Sequence, residues 1–439
     1  EWKKLKSEEL GISSSKISRA TRVVLNGLKR KDFDVVTSAE LKEVMRTFSR
    51  CVIIGRRFPI CHVHVGDTIV EVSSFSTQAK RVGKGWFLDP EKPAGCDEKD
   101  YVRWRNCLQR DFTINGLMFD PFAKLVYDYL GGVNDIRKAK IRTIKPAILS
   151  LSEDCARILR AVRIAARLGF RFSRETATAV TALSQSVMRL DRDRLLMEVN
   201  YMFAYGSGEA SLRLLWKLGL LEILLPIQAA YFVRHGFRRR DKRYNMLLAL
   251  FSNLDRFLAP DRPCHSSLWF AVLAFHEALS ERPREAKVIA AFSLAIHNGG
   301  DLPEAIDIAL RIDKRHATGY PEISKPGNLL LHPGALSDEV KSLAASVRTS
   351  LNRMTDECFV SRAMAKYPKA PYPAPVFFPL TLYLKGGKVF ECVGGVGGGD
   401  DVGGKVGSEV DYEMLGMGSL KEVRHVFARI VFDTLYPIH

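Results

Sequence analysis

Two aspartates two residues apart, Asp32 and Asp34, stand in Lys31-Asp32-Phe33-Asp34-Val35-Val36-Thr37, where polar and apolar residues alternate. That alternation predicts a strand, and side chains two apart on a strand share a face. Like charges there repel, so the pair is costly unless a cation lies between them. Mg²⁺ suits such a pair, being a hard cation usually held by one or two carboxylates plus phosphate. A polar edge strand would carry the same two acids with no metal. Glu71 is the lone acid of Thr68-Ile69-Val70-Glu71-Val72-Ser73-Ser74-Phe75. As an exposed residue it needs no further explanation. On a strand beside the aspartates it would complete a two-metal site, one ion activating an attacking hydroxyl and the other holding a triphosphate and its departing pyrophosphate.

A second constellation begins at Ser150. Ser150 and Glu153 fit a capping box, and Glu153 and Asp154 suit the positive end of a helix, which is expected to run on through Arg157. Arg157, Arg160, Arg163 and Arg167 then recur on one stripe, with Ile158, Leu159, Val162, Ala165 and Ala166 opposite. A solvated basic face over a packed apolar one accounts for this pattern; a phosphate or RNA groove is the functional account. Asp154 can accept and Arg157 can donate, so together they could imitate a base edge, matching adenine or cytosine.

The elements that must position these groups change character along the chain. Residues 1–18 are polar and read as a flexible lead-in. A short helix is expected over 19–30, a strand at 31–37, a helix from Ser38 (its N-cap) to Phe48, and strands at 51–54 and 62–75 with a hairpin turn at Gly66-Asp67. Residues 76–100 read as a loop, 101–118 as a helix around Arg110 to Asn115, and 125–129 and 141–144 as strands. From about 150 helical periodicity dominates, with breaks at Gly206, Pro226, Pro260 and Pro303. Residues 386–407 are Gly-rich and expected to be poorly ordered, and 420–435 reads as a last helix. The fold class expected is therefore α+β, a head with a small mixed sheet at 19–148, followed by all-α domains: a neck at 149–230, a body at 231–380 and a tail at 381–439.

The bulk properties suggest a polyanionic partner such as nucleic acid, with a basic surface lacking a specific partner as the alternative, and give little support to a membrane role. The net charge is +17 over 439 residues, which points to a polyanionic partner, and no segment approaches the roughly 20 apolar residues of a bilayer span. The eight cysteines include no Cys-x-x-Cys pair, so neither a zinc site nor a disulfide framework is expected. Arg234 to Arg243 is a further basic run that a solvated loop would also explain.

Three stretches together resemble the class II nucleotidyltransferases, the family of CCA-adding enzymes and bacterial poly(A) polymerases. They are Lys31 to Thr37, Gln109-Arg110-Asp111-Phe112-Thr113-Ile114-Asn115-Gly116-Leu117, and Glu153-Asp154-Cys155-Ala156-Arg157-Ile158-Leu159-Arg160-Ala161-Val162-Arg163. The resemblance covers roughly residues 20–230. It implies Asp32 and Asp34 as metal ligands and Glu71 as the third carboxylate. It implies Arg110, Asp111 and Asn115 at ribose and phosphates, Asp154 and Arg157 at the base, and Arg160 near the triphosphate. Mg²⁺ is the implied cofactor, ATP the implied substrate, and an RNA 3′ end, mRNA or tRNA, the implied partner. Ile53 to Val63, with Gly55-Arg56-Arg57-Phe58, is similar to the poly(A) polymerase branch, so AMP addition is favoured and CCA addition is the alternative. Arg56 and Arg57 in that turn, and Arg163 and Arg167, are the candidate RNA contacts. No His-Asp dipeptide occurs, so the phosphohydrolase activity of some relatives is not expected. Similarity to plant homologues implies an organelle, chloroplast or mitochondrion, with cytoplasm or nucleus open, because no transit peptide is visible.

The chain departs from the family in one large way. A strand and a Gly-Gly-x-x-Arg-Asp turn normally precede the Asp-x-Asp strand, and the backbone amides of that turn cradle the triphosphate. Here Asn26-Gly27-Leu28-Lys29-Arg30 runs directly into Lys31-Asp32, about twenty residues short for such a strand–turn–helix unit. Losing one preorganised donor can cost about 2.7–4 kcal/mol. Weak or absent catalysis is therefore expected of this chain, and an RNA-binding homologue without turnover is the third reading. Gln109 replaces a second arginine usual in the family and removes one charge.

Overall fold

The computed structural model describes residues 3–6, 33–55, 59–66, 68–75, 92, 94–120, 122–235, 245–258, 262–317, 319–325, 332–365, 377–393 and 409–437. Asp32, Arg56, Arg57, the expected 19–30 helix, Pro260 and most of the 234–243 basic run lie outside them. Residues 1–157 and 168–179 form one compact unit, and 158–167 and 180–439 form a second. The first carries the larger sheets and the second is helical apart from a short parallel pair, Arg284–Glu285 with Ile323–Ser324, as an α+β head with helical domains requires.

Lys3–Lys6 is not lead-in but a strand, β1, which pairs antiparallel with β7 (Leu125–Asp128) beside β6 (Leu117–Asp120). A second sheet has the order β2-β5-β4-β3, formed by β2 (Phe33–Thr37), β3 (Cys51–Ile54), β4 (Ile60–Val65) and β5 (Thr68–Ser74). β2 and β5 run parallel, and the other pairs antiparallel. Gly66 takes φ +58° in the hairpin turn, where a glycine is cheapest. Alternation decides the two faces. Cys61, Val63 and Val72 are buried with Val44 of the helix Leu41–Thr47, while their neighbours in sequence face away. That helix starts at Glu40 rather than Ser38, because Glu40 and Glu43 form the reciprocal capping box.

The helix expected around Arg110 to Asn115 ends earlier. It spans Glu98–Cys107, with Asp97 accepting from the Asp100 amide, and gives way to a turn and a single 3₁₀ turn at Thr113–Asn115. Phe112 and Ile114 are fully buried, which fixes the turn against the head core. Of the strand expected at 141–144 only Lys140–Ile141 forms, pairing with Arg171–Phe172.

The second unit is built on the helix Ser266–Glu281, which is buried almost all round, Trp269, Phe270 and Phe275 fully. The breaks expected at Pro226 and Pro303 are present: one helix ends at Leu224 and another at His297, and each proline lies in the first turn of the next, Pro226–Arg234 and Leu302–Leu310, where a missing amide costs nothing. Gly206, at φ +72°, is in a turn where a Cβ would meet the Leu258 carbonyl oxygen at 2.7 Å. The Gly-rich stretch begins inside a helix, Leu380–Phe390, contrary to expectation. Phe390 is fully buried, and a Cβ at Gly386 would stand 2.9 Å from the Phe270 ring, so that glycine allows close helix packing. The rest of the stretch, 394–408, lies outside the described residues. The last helix is Leu420–Leu435, as its periodicity predicts. Among the described residues no helix is long and apolar enough to cross a membrane.

Candidate active site

Asp34 stands directly opposite Glu71 in the β2–β5 register. Residues so paired on parallel strands share a face, and the strands lie about 4.8 Å apart. Because Val72 points into the core, Glu71 and Asp34 point the other way, and both are exposed. Asp34 has no hydrogen-bond or ion-pair partner among the described residues. One strand further on, His62 pairs in register with Glu71, its Nε2 3.4 Å from Glu71 Oε1. A row of Asp34, Glu71 and His62 thus crosses three strands on the open face of the sheet. Exposed Val52, which pairs with His62, and Ile69 share that face.

Two adjacent, solvated carboxylates, one of them without a side-chain partner among the described residues, fit a hard divalent cation such as Mg²⁺. The structure thus brings two of the three expected acids together. Among the described residues no group of three His, Cys, Asp or Glu side chains is arranged to hold a metal, and Asp32 lies outside them. His62 was not anticipated. Its signal was the period-two burial of Ile60-Cys61-His62-Val63, which turns it toward the face of Glu71.

Asp111 holds the next turn together. Its Oδ1 accepts from the Phe112 amide at 2.8 Å and from Asn115 Nδ2 at 2.8 Å. Asp111 and Asn115 therefore form one pre-set unit, with partly exposed Arg110 beside it.

The expected Ser150-to-Arg157 helix is two. Ala147–Glu153 ends at extended Asp154, and Ala156–Leu168 begins after it. Ser150 is buried in the first helix and forms no capping box. Asp154 caps the second helix instead, accepting from the Ala156 amide at 3.1 Å. Arg157 then reaches back to the Ser150 carbonyl (3.1 Å), Ser150 Oγ (3.0 Å) and Glu153 Oε2 (3.2 Å). These bonds lock the guanidinium, so Arg157 is presented in one orientation beside Asp154. Arg160 is half-buried one turn on.

Arg163 and Arg167, expected at an RNA groove, have partners within the helical unit. Arg163 Nε lies 3.2 Å from Glu198 Oε2, and its guanidinium is 4.8 Å from the Tyr201 ring. Glu198 is fully buried and also meets Arg194 Nη2 at 2.9 Å. Burial holds the Arg163 pKa down, against the pull of Glu198. Arg167 donates to the Tyr201 carbonyl at 3.1 Å and packs 4.8 Å over Tyr205. The plainer account of the stripe, helix packing, covers these two residues. Glu198 gave no sequence signal beyond being a lone acid in Leu195-Leu196-Met197-Glu198-Val199.

Residues 20–142 match the model of the poly A polymerase head domain, and 169–232 match a probable RNA and SrmB-binding site of polymerase A. Poly(A) polymerase I of Escherichia coli O6:H1 is 31% identical over 323 residues, 70% of this chain and 67% of that protein. The chain belongs to the poly(A) polymerase family. A CCA-adding enzyme of Lactococcus lactis is a more distant relative of this poly(A) polymerase homologue, 26% identical over 57% of the chain and 63% of that enzyme. Among solved structures, a Bacillus stearothermophilus CCA-adding enzyme in complex with CTP matches with a TM-score of 0.44 and 20% identity, over 82% of this chain and 83% of that one. The head-domain match contains Asp34, Glu71, Arg110, Asp111 and Asn115, and the RNA-binding match contains Glu198, Tyr201 and Tyr205.

Proposed function

We propose that this chain carries the site for template-independent transfer of AMP from ATP to an RNA 3′ end. The observation that carries the reading is the register of Asp34 against Glu71 on the open face of the head sheet. In this reading Asp34 and Glu71, with Asp32, hold Mg²⁺. Bound there, the metal would lower the pKa of the attacking 3′-hydroxyl and offset charge on the triphosphate. The chain's own residues supply positioning. Asp111 fixes Asn115 for the ribose, with Arg110 for phosphate. Asp154 and the locked Arg157 offer an acceptor and a donor to the base edge, the pattern adenine complements.

Adenylation is preferred to CCA addition because the poly(A) polymerase relative is the more identical and covers more of the chain. The absent Gly-Gly turn removes backbone donors for the triphosphate, so turnover is expected to be slow until it is restored. The test supplies ATP and Mg²⁺ with a labelled RNA bearing a free 3′-hydroxyl, beside a version with the turn inserted before Asp32. A growing tail of A residues, faster in the restored version, is the expected result. Three-nucleotide addition that needs CTP, on tRNA lacking its terminus, would establish the CCA-adding alternative. Salt-sensitive RNA binding with no incorporation in either version would leave an RNA-binding homologue.

A further inference from the structure

The helical unit holds a cavity of about 260 Å³ between the helices Pro226–Arg234, Ser266–Glu281 and Glu357–Met364, lined by Tyr231, Arg234, Glu277, Glu281, Phe359 and Arg362 among others. Glu277 is 5% exposed, and its carboxyl has no hydrogen-bond or ion-pair partner among the described residues. Its neighbour Glu281 is served twice, by Arg234 Nη2 at 3.1 Å and Arg353 Nη1 at 3.7 Å. A buried polar group without a partner is destabilising, and native structures rarely keep one without a use. Glu277 lines the cavity, so a ligand entering it in place of water can meet the carboxyl.

The walls say what kind of ligand. Phe359 offers an aromatic face, with the Arg353 and Arg362 guanidiniums 5.4 and 5.8 Å from its ring centroid. A free cation would be opposed by Arg234, Arg353 and Arg362. A free anion would be opposed by Glu277 and Glu281. A neutral planar ring that bears an amino group and is tethered to phosphates satisfies both sets. Its amino group donates to Glu277, its face lies on Phe359, and its phosphates meet the arginines at the mouth. Arg362 is exposed, so a base can slide beneath it or displace it at little cost. The volume is just under the 300–1,000 Å³ of drug-sized sites, which suits one base and no more.

We propose that this cavity binds a single unstacked adenine of an oligo(A) strand, giving the body a grip on RNA. Burial, with the nearby Glu281 charge, pushes the Glu277 carboxyl up to about 7, against Arg234 and Arg353. The protonated carboxyl can donate to adenine N1 while accepting from N6, and a glutamine side chain would form the same pair. The proposal rests on the RNA reading of the chain.

The experiment measures binding of the full chain to a labelled oligomer of about 15 adenylates and to an abasic oligomer of the same length. Wild type is expected to prefer oligo(A) by about tenfold, the worth of one stacked base. Phe359→Ala and Glu277→Met are each expected to abolish that preference and leave abasic binding unchanged, while Glu277→Gln keeps it. Equal loss on both oligomers, or variants with wild-type preference, would overturn the pocket and leave the RNA reading standing. Failure of the wild type to bind either oligomer at low salt would overturn both.

Discussion

Asp34 lies on an exposed strand face with no ion-pair partner among the described residues, and in register beside it Glu71, also exposed, has His62 Nε2 at 3.4 Å. Nothing in the packing needs either acid, since both point away from the core formed by Val44, Cys61, Val63 and Val72. If they act in the proposed transfer, activity and stability should therefore separate at these residues. In the chain with the Gly-Gly turn restored, Asp34→Asn and Glu71→Gln should each lower AMP incorporation by about 100-fold or more, the scale of losing a charge-stabilising group in an active site. The thermal midpoint should not fall. An equal loss of activity and folding would instead mark the acids as structural. Arg157 shows the limit of reading side chains from a stripe. Its spacing marked it as a candidate donor, but its three bonds to Ser150 and Glu153, which fix its direction, follow from a helix break at Asp154 that a continuous amphipathic pattern hides.

Between elements, Glu198 ties the helix Ala156–Leu168 to the helix Arg192–Phe203 through Arg163, and braces Arg194 on its own helix. A fully buried carboxylate with two arginines is costly to disturb from one side, since removing it strands the buried cation. Glu198→Ala should lose about 3–5 kcal/mol of stability, measured by denaturant unfolding. A loss below 1 kcal/mol would show that solvent already reaches the pair. Element types were legible in sequence wherever period and caps agreed, as at β2, β3 and the last helix, Leu420–Leu435. They were misread where a local side chain overruled the pattern. Asp111 closes a turn with Phe112 and Asn115 where a helix was expected; Gly386 sits within a helix at a close approach to Phe270 that leaves no room for a larger residue. β1 was invisible because Lys3–Lys6 has no alternation, and its pairing with β7 comes from far along the chain. The acid pair was legible as residues, but the register joining Asp34 to Glu71 was not, since it is set by the whole sheet.

Across the whole molecule, buried ionisable groups in the helical unit set opposing pH responses. Burial raises Asp255 to about 7, against the backbone amides of Glu209 and Gly208. Glu277 stands at a similar value. Both bind protons more tightly folded than unfolded, so acidification from about pH 7 toward their ordinary values near 4 stabilises the fold through them. His425 acts in the opposite sense. Burial lowers it from 6.5 to about 4, helped by His297, Arg429 and Lys421, and neither ring nitrogen has a hydrogen-bond partner among the described residues. Its contribution is complete above pH 6.5 and is lost as pH falls toward 4. At pH 5 that loss is about 2 kcal/mol. His425→Leu should therefore gain stability relative to wild type on going from pH 8 to pH 5, read as a difference in unfolding free energy. A difference that does not change with pH would mean that His425 titrates normally in the fold.

The order β2-β5-β4-β3 places β2 at a margin of its sheet among the described residues, with β5 as its sole ladder partner there. Detaching one short strand would part Asp34 from Glu71 while β3, β4 and β5 stayed zipped. A divalent ion gripping both acids would act as a rivet across that seam. Amide deuterium uptake along Phe33–Thr37 should then slow when Mg²⁺ is added, while uptake along Ile60–Val65 changes little.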